Sequence, residues 1–423
     1  MIGFRRWPAL ALIACVVILE PGIAAHRSAR DVASARIAGS ALPYLPGSQI
    51  PIQIDGLDAP YSLEVIGPGA VLHGTLSVPD SPDAADDTVV ASGHHALAVH
   101  RFRFASPPHV ARAFIAVAAY DSGIVVHDAD APFAARSVLG IGGAPSDVAI
   151  DGDGRIAAGN TAGDTLFMAT MDPWRVRAIA GVALSDELAF DPATHALFAT
   201  DRDISGSGAL TRVLPDGTVS RRILGVTSEG VAVDSRRRRV YVANANDGTV
   251  SIVDSTTMTE LRRFHAIDRA FSLALSPDGS RLFAVSNQSV SSPFAAAGRV
   301  IAIDVAAPIP RVVARSAPLA FPLGVVAGSG GKRIFVTDER DDDVYVLDSR
   351  TLQPLRRPIA TCRTPWKPAV DAFDHRLYVP CAQADRIDVI DTRTLQRVPG
   401  APFATGGYPL SVAVWHSWNR VTR

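Results

Sequence analysis

The residues of this chain best placed to do chemistry are carboxylates that recur at one position of a periodic pattern. Asp147, Asp186, Glu187 and Glu229 each precede a short alternating apolar run, and Trp366 and Lys367 stand at the matching place further along. Asn160, Asp201 and Asn244 close the apolar run that follows. If the fold gathers these positions on one rim, the carboxylates form a hard-oxygen arc. A cation such as Ca2+, which takes about six to eight oxygens, suits such an arc. The metal set is then Asp147, Glu187, Glu229 and Asp201, with Lys367 opposite. The plainer reading, which we favour, is that Asp and Asn cap turns there. No Cys-x-x-Cys-His, His-Glu-x-x-His, Gly-x-Ser-x-Gly or P-loop occurs, and the 11 histidines are scattered.

These positions belong to a repeat. Arg239-Val-Tyr-Val-Ala-Asn-Ala-Asn-Asp-Gly-Thr-Val-Ser-Ile-Val-Asp254 returns as Arg333-Ile-Phe-Val-Thr-Asp followed by Asp343-Val-Tyr-Val-Leu-Asp348. It returns again as Arg376-Leu-Tyr-Val-Pro-Cys followed by Arg386-Ile-Asp-Val-Ile-Asp391. Each copy is two alternating strands joined by a polar turn. The residues before the first hairpin turn of each unit are Asp151, Asp191, Asp234, Ser276, Gly328, Asp371 and Trp415, spaced 40, 43, 42, 52, 43 and 44 apart. That period suits a four-stranded propeller blade. In each unit, strand A lines the channel and strand D lies outermost. The first unit lacks a strand A, and Tyr408–Trp415 reads as one. The expected fold is therefore an all-β, seven-bladed β-propeller over residues 112–423, closed by the C-terminal strand. In such a ring the B–C and D–A loops crown one face. The aromatic slot Phe198, Tyr241, Phe283, Phe335 and Tyr378 reads as core.

The copy Tyr241-Val-Ala-Asn244 with Thr249-Val-Ser-Ile-Val-Asp254 resembles the YVTN-type repeat of exported bacterial and archaeal β-propellers. Ser276-Pro-Asp-Gly-Ser-Arg281 and the Gly-x-x-Pro steps Gly142–Pro145 and Gly406–Pro409 are similar to that family's pattern too. The resemblance covers about residues 114–423. It implies an exported protein whose ring acts as a binding platform. Relatives with the same ring include lactonases, but no motif carries their catalytic residues across.

The flanking sequence agrees with export. Arg5 and Arg6 precede an apolar run from Ala9 to Leu19, and small residues follow at Gly22–Ala25. This is a signal-peptide layout over residues 1–25 for a periplasmic or extracellular protein; the apolar run is short for a membrane span, with an uncleaved N-terminal anchor as the alternative. Leu12–Cys15 resembles a lipobox, but the apolar run continues past it. Residues 37–107 carry no repeat. They read as strands Gln49–Ile54, Tyr61–Ile66, Ala70–Leu76, Thr88–Ala91 and Ala96–Phe104, with a bulge in the last. These make a small β-sandwich or a collar on the ring.

Cys362 and Cys381 flank one blade's loop face, so an exported chain permits a disulfide there. Closing that loop is worth on the order of 3 kcal/mol. The net charge of −1 supplies no strong field for nucleic acid, although Arg236–Arg239 forms one basic turn. The long loop Asn287–Gly298 offers Phe294 to a partner. With Asn160, Asn244, Trp366 and Lys367, it makes up the candidate contact set. The expected function is a binding platform for a protein or an envelope polymer, with a small-molecule ligand as a further option. The alternative is a lactonase-like or other metal-assisted hydrolase using the acidic rim.

Overall fold

The computed structural model describes residues 35–416, apart from 58–60, 68, 73, 79–85, 93–96, 105–112, 131, 172–173, 183–184, 203–205, 268 and 288–297. The expected signal peptide and Phe294 lie outside the described residues.

Runs in which Val, Ile, Ala and aromatic residues alternate, punctuated by Gly, Asp and Asn, form antiparallel ladders throughout. The repeat copy of the fourth unit shows the plan. Ser228–Asp234 pairs with Arg239–Asn244, that with Thr249–Asp254, and that with Glu260–His265. Among the described residues, seven antiparallel sheets of this kind follow one another along the chain, one of them with a fifth strand. In the first sheet, Ala113–Ala119 lies between Gly123–Asp128 and the C-terminal strand Pro409–His416. The first strand of the ring and the C-terminal strand thus share one sheet.

Successive sheets pack face to face over separate apolar cores. Phe198, Leu210, Val231 and Val242 fill the gap between the third and fourth sheets. Tyr241, Val250, Leu282 and Ile301 fill the next gap. Ile115, Val117, Tyr378, Ile387 and Phe403 return the last sheet to the first. Each strand-B aromatic of the repeat is buried in such a gap. A propeller of stacked β-sheets is the result.

Among the described residues, the region before the ring forms three small sheets. Gly74, at φ 79°, turns Ala70–Leu72 back against Thr75–Ser77, so the expected strand Ala70–Leu76 is a hairpin instead. The expected strand Gln49–Ile54 divides into Gln49–Pro51 and Ile54–Asp55, which join different sheets. No bulge interrupts Leu97–Arg103, whose register against Asp86–Ser92 is continuous. Instead, apolar residues occupy both faces of this strand: Ala98 and Phe102 face inward while Leu97 and Val99 lie exposed on the other side.

This region shares a core with the ring: Tyr44, Ile50, Leu76 and Phe102 pack with Ala119, Val125 and Val138. Residues 43–49 run beside the outer strand of the first sheet. The Leu45 N–H donates to the Val138 carbonyl at 2.7 Å and the Gln49 N–H to the Gly140 carbonyl at 2.9 Å. Leu45 is buried among Phe114, Leu139 and Trp415. One outer edge of the ring is thereby covered.

Candidate binding site at the channel mouth

The inner strands converge on a cavity of about 170 Å³. Asp147 and Val148 line it from the second sheet, Val231 from the fourth, Ser272 from the fifth, Val325 from the sixth and Ser411 from the first. Glu187 and Lys367 enter from the segments leading into the third and seventh sheets. These side chains sit where the D–A connections turn inward, so the cavity lies at the loop-crowned mouth.

Sequence order explains the gathering. Each strand A starts at the same height, so residues just before it reach the same rim. Glu187 is held on both oxygens: the Val231 N–H donates to Oε2 at 2.7 Å, and the Ser272 hydroxyl donates to Oε1 at 3.1 Å. Asp147 Oδ2 accepts from the Leu188 N–H at 2.8 Å, and Oδ1 from its neighbour Val148 at 3.0 Å. Each carboxylate therefore stitches its own strand to the next blade. Lys367 reaches across from the far side. Its Nζ donates to the Asp186 carbonyl at 2.7 Å and lies 3.6 Å from Glu187 Oε1.

Burial and charge set the protonation here. Burial pushes the Glu187 carboxyl up from 4.5 to about 7; the Lys367 ammonium opposes this rise and Asp147 reinforces it. Burial pulls the Lys367 amine down, but Asp147, Glu187, Asp186 and Glu229 outweigh it, so its pKa is raised. Lys367 is an ammonium, not a nucleophilic amine.

The structure brings together Asp147, Glu187 and Lys367, with Asp186 and Glu229 close enough to act on the ammonium. It does not bring Asp201 to them. That carboxylate is fully buried within the third sheet, where Arg221 grips it at 2.6 Å and the Thr211 hydroxyl donates to it at 2.6 Å. Asp201 points along its own blade, because end-of-strand-B positions serve the B–C turn rather than the channel. Asn160 and Asn244 behave alike. Asn160 Oδ1 accepts from the Ala162 N–H. Asn244 binds Ser228, Thr249 and Ser251 within its sheet. Trp366 is half-buried beside Lys367, its backbone N–H on the Pro380 carbonyl.

Cys362 and Cys381 are joined as a disulfide, with Cα atoms 5.6 Å apart. It anchors the loop that delivers Lys367. Nearby Asp388 is held by Arg386 and Arg397.

Sequence reasoning missed Ser272 and Ser411, whose only signal was their place in strand A. It also missed two histidine–carboxylate pairs on the opposite face: His195 Nδ1 lies 3.1 Å from Asp151 Oδ2, and His416 Nε2 lies 2.8 Å from Asp371 Oδ2. With Asp153 and Asp374 respectively, they form compact sets that could hold an ion. Asp151 and Asp371 stand just before the A–B turns, and each reaches a histidine of the next unit round the ring.

No protein-family model matches the chain, and no curated protein matches it. Solved structures do. The chain is similar to a putative 6-phosphogluconolactonase from Bacteroides uniformis, with a TM-score of 0.60 at 12% identity, over 72% of this chain and 100% of that one. It is similar to the Cps50 (Swd1) β-propeller domain of Myceliophteria thermophila, with a TM-score of 0.55 at 12% identity, over 66% and 93%. It is also similar to virginiamycin B lyase from Staphylococcus aureus, with a TM-score of 0.51 at 10% identity, over 64% and 92%. At such identities the likeness speaks for the β-propeller fold alone. Among the described residues, no helix is long and apolar enough to cross a membrane.

Proposed function

We propose that this chain is an exported, seven-bladed propeller of the YVTN-repeat type that binds a protein or an envelope polymer across its loop-crowned face. The observation that carries the reading is the convergence of inner strands on one polar cavity at that face. Its charged groups are already engaged with backbone, hydroxyl and ammonium partners. An arrangement of this kind recognises polar groups without needing a free nucleophile. The same face carries the acidic B–C loop Asp338–Asp343. There burial, then Asp338, Asp341 and Asp342, push the Asp343 carboxyl up to about 7. A partner with basic or hydroxyl-rich groups complements such a surface.

A hydrolase is the second reading. It is favoured by one observation: a carboxyl with a pKa near 7, Glu187, faces the cavity and has the right strength for general acid–base work. Two similar structures are putative 6-phosphogluconolactonases.

Co-sedimentation with purified envelope separates the two. The binding reading expects the wild-type protein to pellet with envelope, and the variant with residues 288–297 replaced by a Gly-Ser linker to lose at least about tenfold in affinity. Failure of the wild type to pellet, together with turnover of lactones that Glu187→Gln abolishes, would favour the hydrolase.

A further inference from the structure

We propose that Lys367 is a built-in cation, doing at the channel mouth what a divalent metal ion would do, and that removing it uncovers a cation site formed by the Asp186 carbonyl and the carboxylates of Asp147 and Glu187.

The contacts of the ammonium carry the argument. It sits on a backbone carbonyl oxygen at 2.7 Å and faces a carboxylate oxygen at 3.6 Å. Carbonyl and carboxylate oxygens are what a hard cation such as Ca2+ selects. The side chain is only 13% exposed, so the charge is taken largely out of water and depends on those oxygens. The oxygens are themselves fixed from behind. Val231, Ser272 and Leu188 donate to Glu187 and Asp147, much as outer-shell groups orient metal ligands. Asp186 and Glu229 add negative charge around the ammonium.

Composition points the same way. The chain has 41 basic residues, and only Lys332 and Lys367 are lysines. A planar arginine fork needs width and two parallel acceptors, whereas a compact ammonium behaves as a point charge, as a metal ion does. The position also has the reach of a bridging ion. The Lys367 N–H donates to the Leu410 carbonyl of the closing strand, while the side chain crosses to Glu187, which grips the fourth and fifth sheets. One residue thus joins the ring's closure to three blades on the far side of the channel. The place that a rim-bound metal would take is, on this account, already filled by a side chain.

The test is Ca2+ binding by isothermal calorimetry and thermal unfolding of the full chain, at about pH 8 where the carboxyls are ionised. Wild type is expected to bind no Ca2+ at the mouth and to unfold at the same temperature with Ca2+ or with chelator. Lys367→Ala is expected to unfold several degrees lower in chelator, to take up one Ca2+ per chain, and to recover part of the loss in millimolar Ca2+. Lys367→Ala with Glu187→Gln is expected to lose that recovery. A folded Lys367→Ala protein that neither binds Ca2+ nor is stabilised by it overturns the proposal, as does wild type responding equally. If Lys367→Ala fails to fold alone, refolding with Ca2+ must restore it, and no restoration likewise overturns the idea.

Discussion

At the scale of single residues, Glu187 is the most informative side chain. It is a buried carboxyl held by Val231, Ser272 and Lys367, yet its pKa rises from 4.5 to about 7 because burial outweighs the ammonium. A carboxyl whose folded pKa is raised contributes stability that is fully present below its unfolded pKa. That contribution is lost as pH rises through the folded value. The window is therefore about pH 4.5 to 7. Glu187→Gln keeps the shape but cannot ionise. Its stability relative to wild type should improve across that window by on the order of 3 kcal/mol. Paired urea unfolding curves at pH 4.5 and above 7 measure this; a difference independent of pH would contradict the burial account. Little of this was legible in the sequence. Glu187 was visible as one rim carboxylate among several, and Lys367 as standing opposite. Their direct pairing needed the ring's curvature, which no linear spacing encodes. Asp201 shows the converse: an equally acidic residue that the strand direction commits to Arg221.

At the scale of elements, the strands were largely legible, because alternation and turn chemistry agree in the repeat copies. The two strands read in the copy Arg239–Asp254 are Arg239–Asn244 and Thr249–Asp254. The closing strand read from Tyr408–Trp415 is Pro409–His416. The preceding region was harder to read, because Gly74 and the break after Pro51 split strands that looked continuous, and because part of its core comes from the ring. Trp415 shows how much one closing element carries. It packs against Phe114 with ring centroids 5.4 Å apart, and its indole N–H donates to the Gly152 carbonyl at 3.1 Å. Trp415→Ala should cost roughly 3–5 kcal/mol, since it empties a packed junction between first and second sheets. Chemical denaturation would read this as a lower midpoint. A loss under about 1 kcal/mol would contradict this account of the Trp415 junction.

At the scale of the whole molecule, the ring places two unlike faces at opposite ends of one channel. The mouth carries the Glu187–Lys367 cavity, the acidic loop Asp338–Asp343 and the disulfide-anchored approach to Lys367. The other end carries the A–B turns, with Arg236–Arg239 and the histidine–carboxylate pairs. A closed ring makes the mouth a single surface assembled from every inner strand. That is why we propose the mouth as the binding face. The most direct measurement is site-specific photocrosslinking to envelope, with the crosslinker placed once at exposed Arg340 on the mouth face and once at exposed Arg236 on the opposite face. Adducts from position 340 and none from position 236 are the expected result. Adducts from position 236 alone, or none from either, would contradict the assignment of the mouth as the binding face.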